Sequence, residues 1–326
     1  MMLDAAIVGM GRWGQTLVNS VQGRNGAGIR FVAGATRTPG KAAAWAAEKG
    51  IEILPDLEAV LADPRVRAVV LATPHQQHAE GVIAAARAGR HIFIEKPFTL
   101  SKASAEAAVA ACREAGVVLA LGHNRRFLPA VAEMKRMLAE GALGTLMHVE
   151  GQLSGAMAEG WKPGMWRADP HESPLGGMGA MGIHMIDMLI NLAGPIEQVS
   201  VISRARVLTN GLDDTTAMLC RFRAGPTGLF ATLASAPRVW RIGLFGSQGR
   251  LEQRDPETLV FHPRDGEGWE RRFESADIER AELEAFAAAV EGGPAYPLPV
   301  EEAIHGVSVF ETMIHANAAG GPVLVP

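Results

Sequence analysis

The sequence predicts an α/β fold: an N-terminal doubly wound parallel sheet, followed by an α+β half with a large, mostly antiparallel sheet. Three observations predict it. From Asp4 to about Gly122, short β-branched runs alternate with alanine-rich stretches of helix length, a pattern that demands crossovers and parallel strands covered on both faces. A glycine-rich turn, Gly9-Met10-Gly11-Arg12-Trp13-Gly14, separates the first such run from the first helical stretch. Past residue 123 the pattern changes to period-two strands with mostly short links.

In order, the first half offers strands over 5–8, 29–35, 68–73, 91–95 and 117–121, with helices over 14–22, 41–49, 76–88 and 101–115 between them. Ser101 is a plausible N-cap of the last helix and Gly116 its stop. One helix over 128–140 ends at Gly141. Then Met147, Val149, Gly151 and Leu153 alternate with His148, Glu150, Gln152 and Ser154. Further strands are expected over 199–207, 216–222, 228–234, 242–245 and 258–261, and helices over 182–192, 281–290 and 300–318. The domains expected are therefore 1–122 and 123–326, a length that suits two cores better than one.

Composition excludes several classes. With 48% hydrophobic and 20% charged residues the chain is globular rather than disordered, and a net charge of −4 gives no reason to expect nucleic acid as a partner. The two cysteines, Cys112 and Cys220, suit a reducing, cytoplasmic setting and are too few for a disulfide framework or a thiolate metal cage. The stretch 178–194 is apolar but carries His184 and Asp187, so it reads as a buried helix and no membrane partner is expected. His75 and His78 lack a third ligand at a sensible spacing, so no metal is expected.

The glycine turn is a dinucleotide site by its chemistry. Gly9 permits a tight turn, Gly11 lets the backbone approach a pyrophosphate, and Gly14 lets helix and strand pack closely. Arg12 and Trp13 open the helix, whose free N–H groups and partial positive charge favour the anion. At the end of the second strand, Ala35-Thr36-Arg37 supplies no acid for a ribose 2′-hydroxyl. Thr36 can donate to a 2′-phosphate and Arg37 can pair with it, so NADP(H) is expected ahead of NAD(H).

Ile92-Phe93-Ile94-Glu95-Lys96-Pro97 ends the strand over 91–95 at the carboxyl edge of the sheet, where open α/β folds bind ligands. A lysine there can bond a substrate oxygen and stabilise its developing negative charge. With this segment in place, the chain resembles the glucose–fructose oxidoreductase/inositol dehydrogenase (Gfo/Idh/MocA) family over nearly its whole length. The resemblance rests on the turn at 9–14, Ala72-Thr73-Pro74-His75 with His78, and Glu95-Lys96-Pro97. It continues through Gly122-His123-Asn124-Arg125-Arg126-Phe127, Trp166-Arg167, and Gly176-Gly177 leading to Gly182-Ile183-His184 and Asp187.

The resemblance implies a reversible hydride transfer between a nicotinamide, NADP(H) by the reading of Thr36 and Arg37, and a secondary alcohol or carbonyl of a sugar, cyclitol, polyol or dihydrodiol. Lys96 would bind the reacting oxygen and His184 exchange its proton. Thr73, Pro74, His75, His78, Glu95, Trp166 and Arg167 would border the cofactor, Gly176 and Gly177 would pass close to the nicotinamide, and Arg126 and Asp169 are candidate substrate contacts. A homodimer or homotetramer is implied as well. Two departures stand out. Ala180 replaces an aspartate common four residues before the histidine, where it would orient the imidazole; Asp169, His171, Glu172 and Asp187 are the candidates to replace it. Glu279 stands where many relatives have a tyrosine. Two other readings stay open: an NAD-dependent glycosidase of the same superfamily and a non-catalytic NADP(H)-binding sensor.

Overall fold

The computed structural model describes residues 2–326. Its N-terminal strands and helices alternate as the sequence pattern requires: β1 (Leu3–Val8), α1 (Arg12–Val21), β2 (Ile29–Ala35), α2 (Pro39–Lys49), β3 (Glu52–Leu54), α3 (Leu57–Ala62), β4 (Ala68–Leu71), α4 (His78–Arg87), β5 (His91–Glu95), α5 (Lys102–Ala115) and β6 (Leu119–Gly122). The expected strands and helices of this half recur within a few residues. Pro39 opens α2, and α5 begins at a Ser101 cap whose hydroxyl accepts from the Ser104 N–H. β3 and α3 escaped the sequence reading. They are three and six residues long, too short for a periodicity to register.

All six strands are parallel, in the order β3-β2-β1-β4-β5-β6. The order reverses between β1 and β4, so the crevice at their carboxyl ends is where such a sheet accepts a dinucleotide. β4 is buried along its whole length, as a strand covered on both faces must be.

The second half comprises α6 (Pro129–Ala139), β7 (Leu146–Ser154), α7 (Gly182–Ala193), β8 (Ile196–Arg204), β9 (Thr215–Phe222), β10 (Thr227–Leu233), β11 (Val239–Gly246), β12 (Gly249–Gln253), β13 (Thr258–Pro263), β14 (Trp269–Arg272), α8 (Ile278–Val290), α9 (Val300–Ala319) and β15 (Val323–Leu324). Nine strands form one sheet, β14-β13-β12-β11-β7-β10-β9-β8-β15, antiparallel except where β10 meets β7. β9 alternates buried and outward residues along most of its length, the mark of a sheet covered on one face. α7 lies on that covered face: a Cβ on Gly151 of β7 would come within 2.6 Å of Met185, so the missing side chain lets the helix sit close.

The chain divides into two compact units. One runs up to Asn124 and takes in Asp277–Ile304; the other is Arg125–Ala276 with His305–Pro326. Segment 277–304, expected with the second half, thus belongs to the first. The reason is packing: Leu283, Phe286 and Ala287 of α8 bury in one cluster with Leu3, Val18, Ile29 and Phe31, apolar surface that the parallel sheet alone would leave wet. Among the described residues, no helix is long and apolar enough to cross a membrane.

Candidate active site

In the first unit the glycine turn fits a pyrophosphate. Gly9 has a φ of +99°, and a Cβ there would lie 2.3 Å from the Ala72 carbonyl oxygen, so only glycine suits the position. A Cβ on Gly14 would lie 2.0 Å from the Gly9 carbonyl oxygen, the close helix–strand approach the motif implies. Gly11 differs: a Cβ there meets nothing within 4 Å. Gly11 also caps α1 without any side-chain cap bond, so the space above the turn and the helix N-terminus suit an anion. Arg12 is exposed and Trp13 half-buried. Thr36 is half-buried and Arg37 exposed just past β2, placed for the adenosine ribose of a dinucleotide on this turn.

The loops after β4 and β5 carry the other expected residues of this unit. Lys96 is half-buried directly after β5. Glu95, the last residue of β5, is 4% exposed; its Oε2 accepts from the Lys96 N–H at 3.3 Å. Its register partner is Gly122, where a Cβ would meet Oε1 at 2.7 Å, so β6 makes room for the carboxyl group. Burial pushes Glu95 up to about 7 and the charge of Glu279 adds to the rise, against the pull of the Lys96 ammonium. The Trp13 indole N–H lies toward the same carboxylate but outside hydrogen-bond geometry.

His78, expected among the cofactor-bordering residues, is 0% exposed. Its Nδ1 lies 2.8 Å from the Pro97 carbonyl oxygen and its Nε2 2.9 Å from that of Thr73. Both nitrogens face the protein's own backbone. Thr73 and Pro74 are half-buried, and the buried His75 ring lies 5.8 Å from that of His78.

In the second unit, His184 is 7% exposed in the first turn of α7, and its N–H donates to the Met181 carbonyl oxygen at 3.0 Å. Arg126, a candidate substrate contact, is paired with Asp187: Nε and Nη2 lie 3.0 and 2.8 Å from the carboxylate. Asp187, a candidate to orient His184, is therefore engaged with a guanidinium. Asp169 is exposed and its Oδ1 accepts the His171 N–H at 2.9 Å, which shapes its own turn. Arg167 stacks on Trp166 at 4.1 Å from the ring centroid. The pair Gly176-Gly177 has a local reason: a Cβ on Gly176 would lie 1.7 Å from the Asp213 carbonyl oxygen, and one on Gly177 2.9 Å from the Ala234 Cβ.

Sequence reasoning missed three supports. The chain's single tyrosine, Tyr296, donates its hydroxyl to the Leu121 carbonyl oxygen at 2.8 Å, fixing β6 from the 277–304 segment. Asn124 donates to Glu279 at 3.0 Å, which gives the glutamate at the family's tyrosine position a partner. Trp240 carries the Arg125 guanidinium at 5.6 Å from its ring centroid. A lone tyrosine and a departure from a family pattern were the available signals.

Comparison with known proteins decides the family. A model described as oxidoreductase family, NAD-binding Rossmann fold, matches residues 3–123, and the Gfo/Idh/MocA C-terminal domain matches residues 131–252. The chain belongs to the Gfo/Idh/MocA family. It is an NAD(P)(H)-dependent oxidoreductase. It is 27% identical over 299 residues to 1,5-anhydro-D-fructose reductase of Ensifer adhaerens, 86% of each chain being covered. It is 38% identical over 151 residues to scyllo-inositol 2-dehydrogenase (NAD(+)) of Bacillus subtilis strain 168, covering 45% of this chain and 43% of that one. A levoglucosan dehydrogenase solved with NADH and levoglucosan superposes with a TM-score of 0.88 at 23% identity, covering 100% of both chains; at that identity the likeness speaks for the fold.

Proposed function

We propose that the chain transfers hydride between NADP(H) and a secondary alcohol or carbonyl of a sugar, cyclitol, polyol or dihydrodiol. The observation that carries the reading is Lys96 at the carboxyl end of β5, in the same parallel sheet whose β1 turn is open over Gly11. The bound nicotinamide would supply or accept the hydride. Around it, Gly9, Gly11 and Gly14 shape the pyrophosphate seat, with Arg12 and Trp13 at the helix start. The loop over Thr73, Pro74 and His75 borders the ring together with Glu95, and Trp166 and Arg167 are further candidates for the cofactor.

The Lys96 ammonium hydrogen-bonds the reacting oxygen and stabilises its negative charge in the transition state. His184 takes up or returns the hydroxyl proton, a contribution of about two to four orders of magnitude in general acid–base catalysis. Asp169 contacts the substrate. NADP(H) is preferred over NAD(H) because Thr36 and Arg37 receive a 2′-phosphate and no carboxylate repels it. The relatives point the same way for the substrate class, one named for an anhydrosugar and one for an inositol.

A cofactor-reduction screen of polyols, sugars and dihydrodiols, run with NADP and NAD in parallel, tests the proposal. Turnover with NADP above NAD supports the proposal; tight NADPH binding with no turnover across the panel overturns it.

A homodimer or homotetramer belongs to the same proposal. Leu219 and Leu229 face each other in register across β9 and β10 and are 54% and 46% exposed, with Ile202 of β8 at 66%; neighbouring apolar side chains on an open sheet face suit association. A cytoplasmic setting is supported by two buried free cysteines.

A further inference from the structure

We propose that His78 is a positioning residue for Lys96, locking the loop that carries the lysine to the loop that follows β4. Lys96 and Pro97 follow β5 directly, and Thr73 lies just past β4, so the two loops leave neighbouring strands at the carboxyl edge of the sheet. His78 opens α4 beneath both, fully buried. One ring nitrogen meets the carbonyl next to Lys96 at 2.8 Å, and the other meets Thr73 at 2.9 Å.

A histidine satisfied within a single turn would tie nothing together. Here the two partners stand five residues before the ring and nineteen after it. Both are carbonyls, which only accept, so a neutral ring donates its single N–H to one of them at a time and only the doubly protonated ring bonds both at once. Burial above all, with the neighbouring Lys96 ammonium, holds the ring's pKa below its ordinary value, against the carbonyls of Thr73, Pro97 and Phe98, which pull it up. The Thr73 loop lies against the phosphate turn, close enough that a Cβ on Gly9 would fall 2.3 Å from the Ala72 carbonyl oxygen. One imidazole thus sets the amine of Lys96 relative to the cofactor seat.

The inference rests on the reading of Lys96 as the group that holds the reacting oxygen, and two variants separate its arms. An asparagine amide occupies the place of Nδ1 and a glutamine amide that of Nε2. His78→Asn keeps the Pro97 arm and gives up Thr73; His78→Gln does the reverse. Two readouts need no substrate: the NADPH Kd, and the rate at which acetic anhydride labels the Lys96 amine, read on its peptide by mass spectrometry.

A buried hydrogen bond is worth about 1 kcal/mol, or roughly a fivefold change. His78→Gln is expected to raise Lys96 labelling about fivefold with NADPH Kd within about twofold of wild type, and His78→Asn to weaken NADPH about fivefold with labelling little changed. Equal shifts in both variants, or no shift in either, overturn the proposal. If a variant does not fold, the wild-type chain decides through 15N-histidine NMR: a His78 ring proton protected from exchange supports the clamp, and one exchanging at the solvent rate overturns it. Lys96→Ala in the same series keeps the two ideas apart. Full turnover there would sink the role of Lys96 while leaving the labelling result standing as a test of position.

Discussion

Arg126 and Asp187 form a two-pronged ion pair with side chains only 4% and 7% exposed, which ties the segment after β6 to the helix that carries His184. Removing one partner of such a pair leaves a buried charge uncompensated, at a cost of about 3–5 kcal/mol, whereas replacing both by apolar groups of similar volume costs far less. Urea unfolding of Arg126→Met, Asp187→Leu and the double variant should show each single change as worse than the pair. Additive losses would mean that the two side chains do not act together.

The phosphate turn separates folding from binding at adjacent glycines. Gly11→Ala meets open space and leaves Tm close to wild type, while its methyl group stands where the pyrophosphate approaches and weakens NADPH about tenfold or more. Gly14→Ala drives a methyl group into the Gly9 carbonyl and lowers Tm. Thermal melts with NADPH titration check both; a Gly11→Ala chain that binds NADPH normally would contradict the turn's assignment.

The proposed preference for NADP(H) rests on Arg37. A charge-assisted bond to a 2′-phosphate is worth about 1.5–3 kcal/mol, so Arg37→Ala is expected to weaken NADP(H) by about 10- to 100-fold and to leave NAD(H) nearly unchanged. Fluorescence titration with NADPH and NADH measures it. Equal losses for both cofactors would contradict the preference.

How much of this was legible in the sequence follows from which contacts are local. β2 and β5 emerged residue for residue, because an apolar run bounded by helical stretches leaves little choice of ends. The glycine turn was legible for the same reason: strand, turn and helix are contiguous. Residues answering to distant segments were not legible. α8 reads as an ordinary amphipathic helix, and nothing in its pattern says that Leu283 and Phe286 fill the core beneath β1 and β2. Arg126 reads as half of a basic pair, and only the fold brings Asp187 to it, 61 residues on. His78 looks like part of a cofactor loop until both nitrogens are seen facing carbonyls. The short β3 and β15 follow the same rule, since their existence depends on the strand beside them.

Glu95 gives a pH signature. Its folded value is about 7 against an ordinary 4.5. Between these values the folded chain holds a proton that the unfolded chain has released, so stability falls as pH climbs from about 4.5 to about 7 and then levels off. Glu95→Gln removes that slope. Urea midpoints across this range check it; parallel curves for wild type and variant would show that Glu95 ionises normally.

The most direct measurement is the turnover of Lys96→Ala beside wild type, on the substrate that reduces NADP fastest, with NADPH affinity measured on both. Loss of a group that stabilises charge only in the transition state should lower kcat by about two to three orders of magnitude and leave NADPH Kd within a few-fold. Wild-type turnover in Lys96→Ala would contradict the mechanism outright.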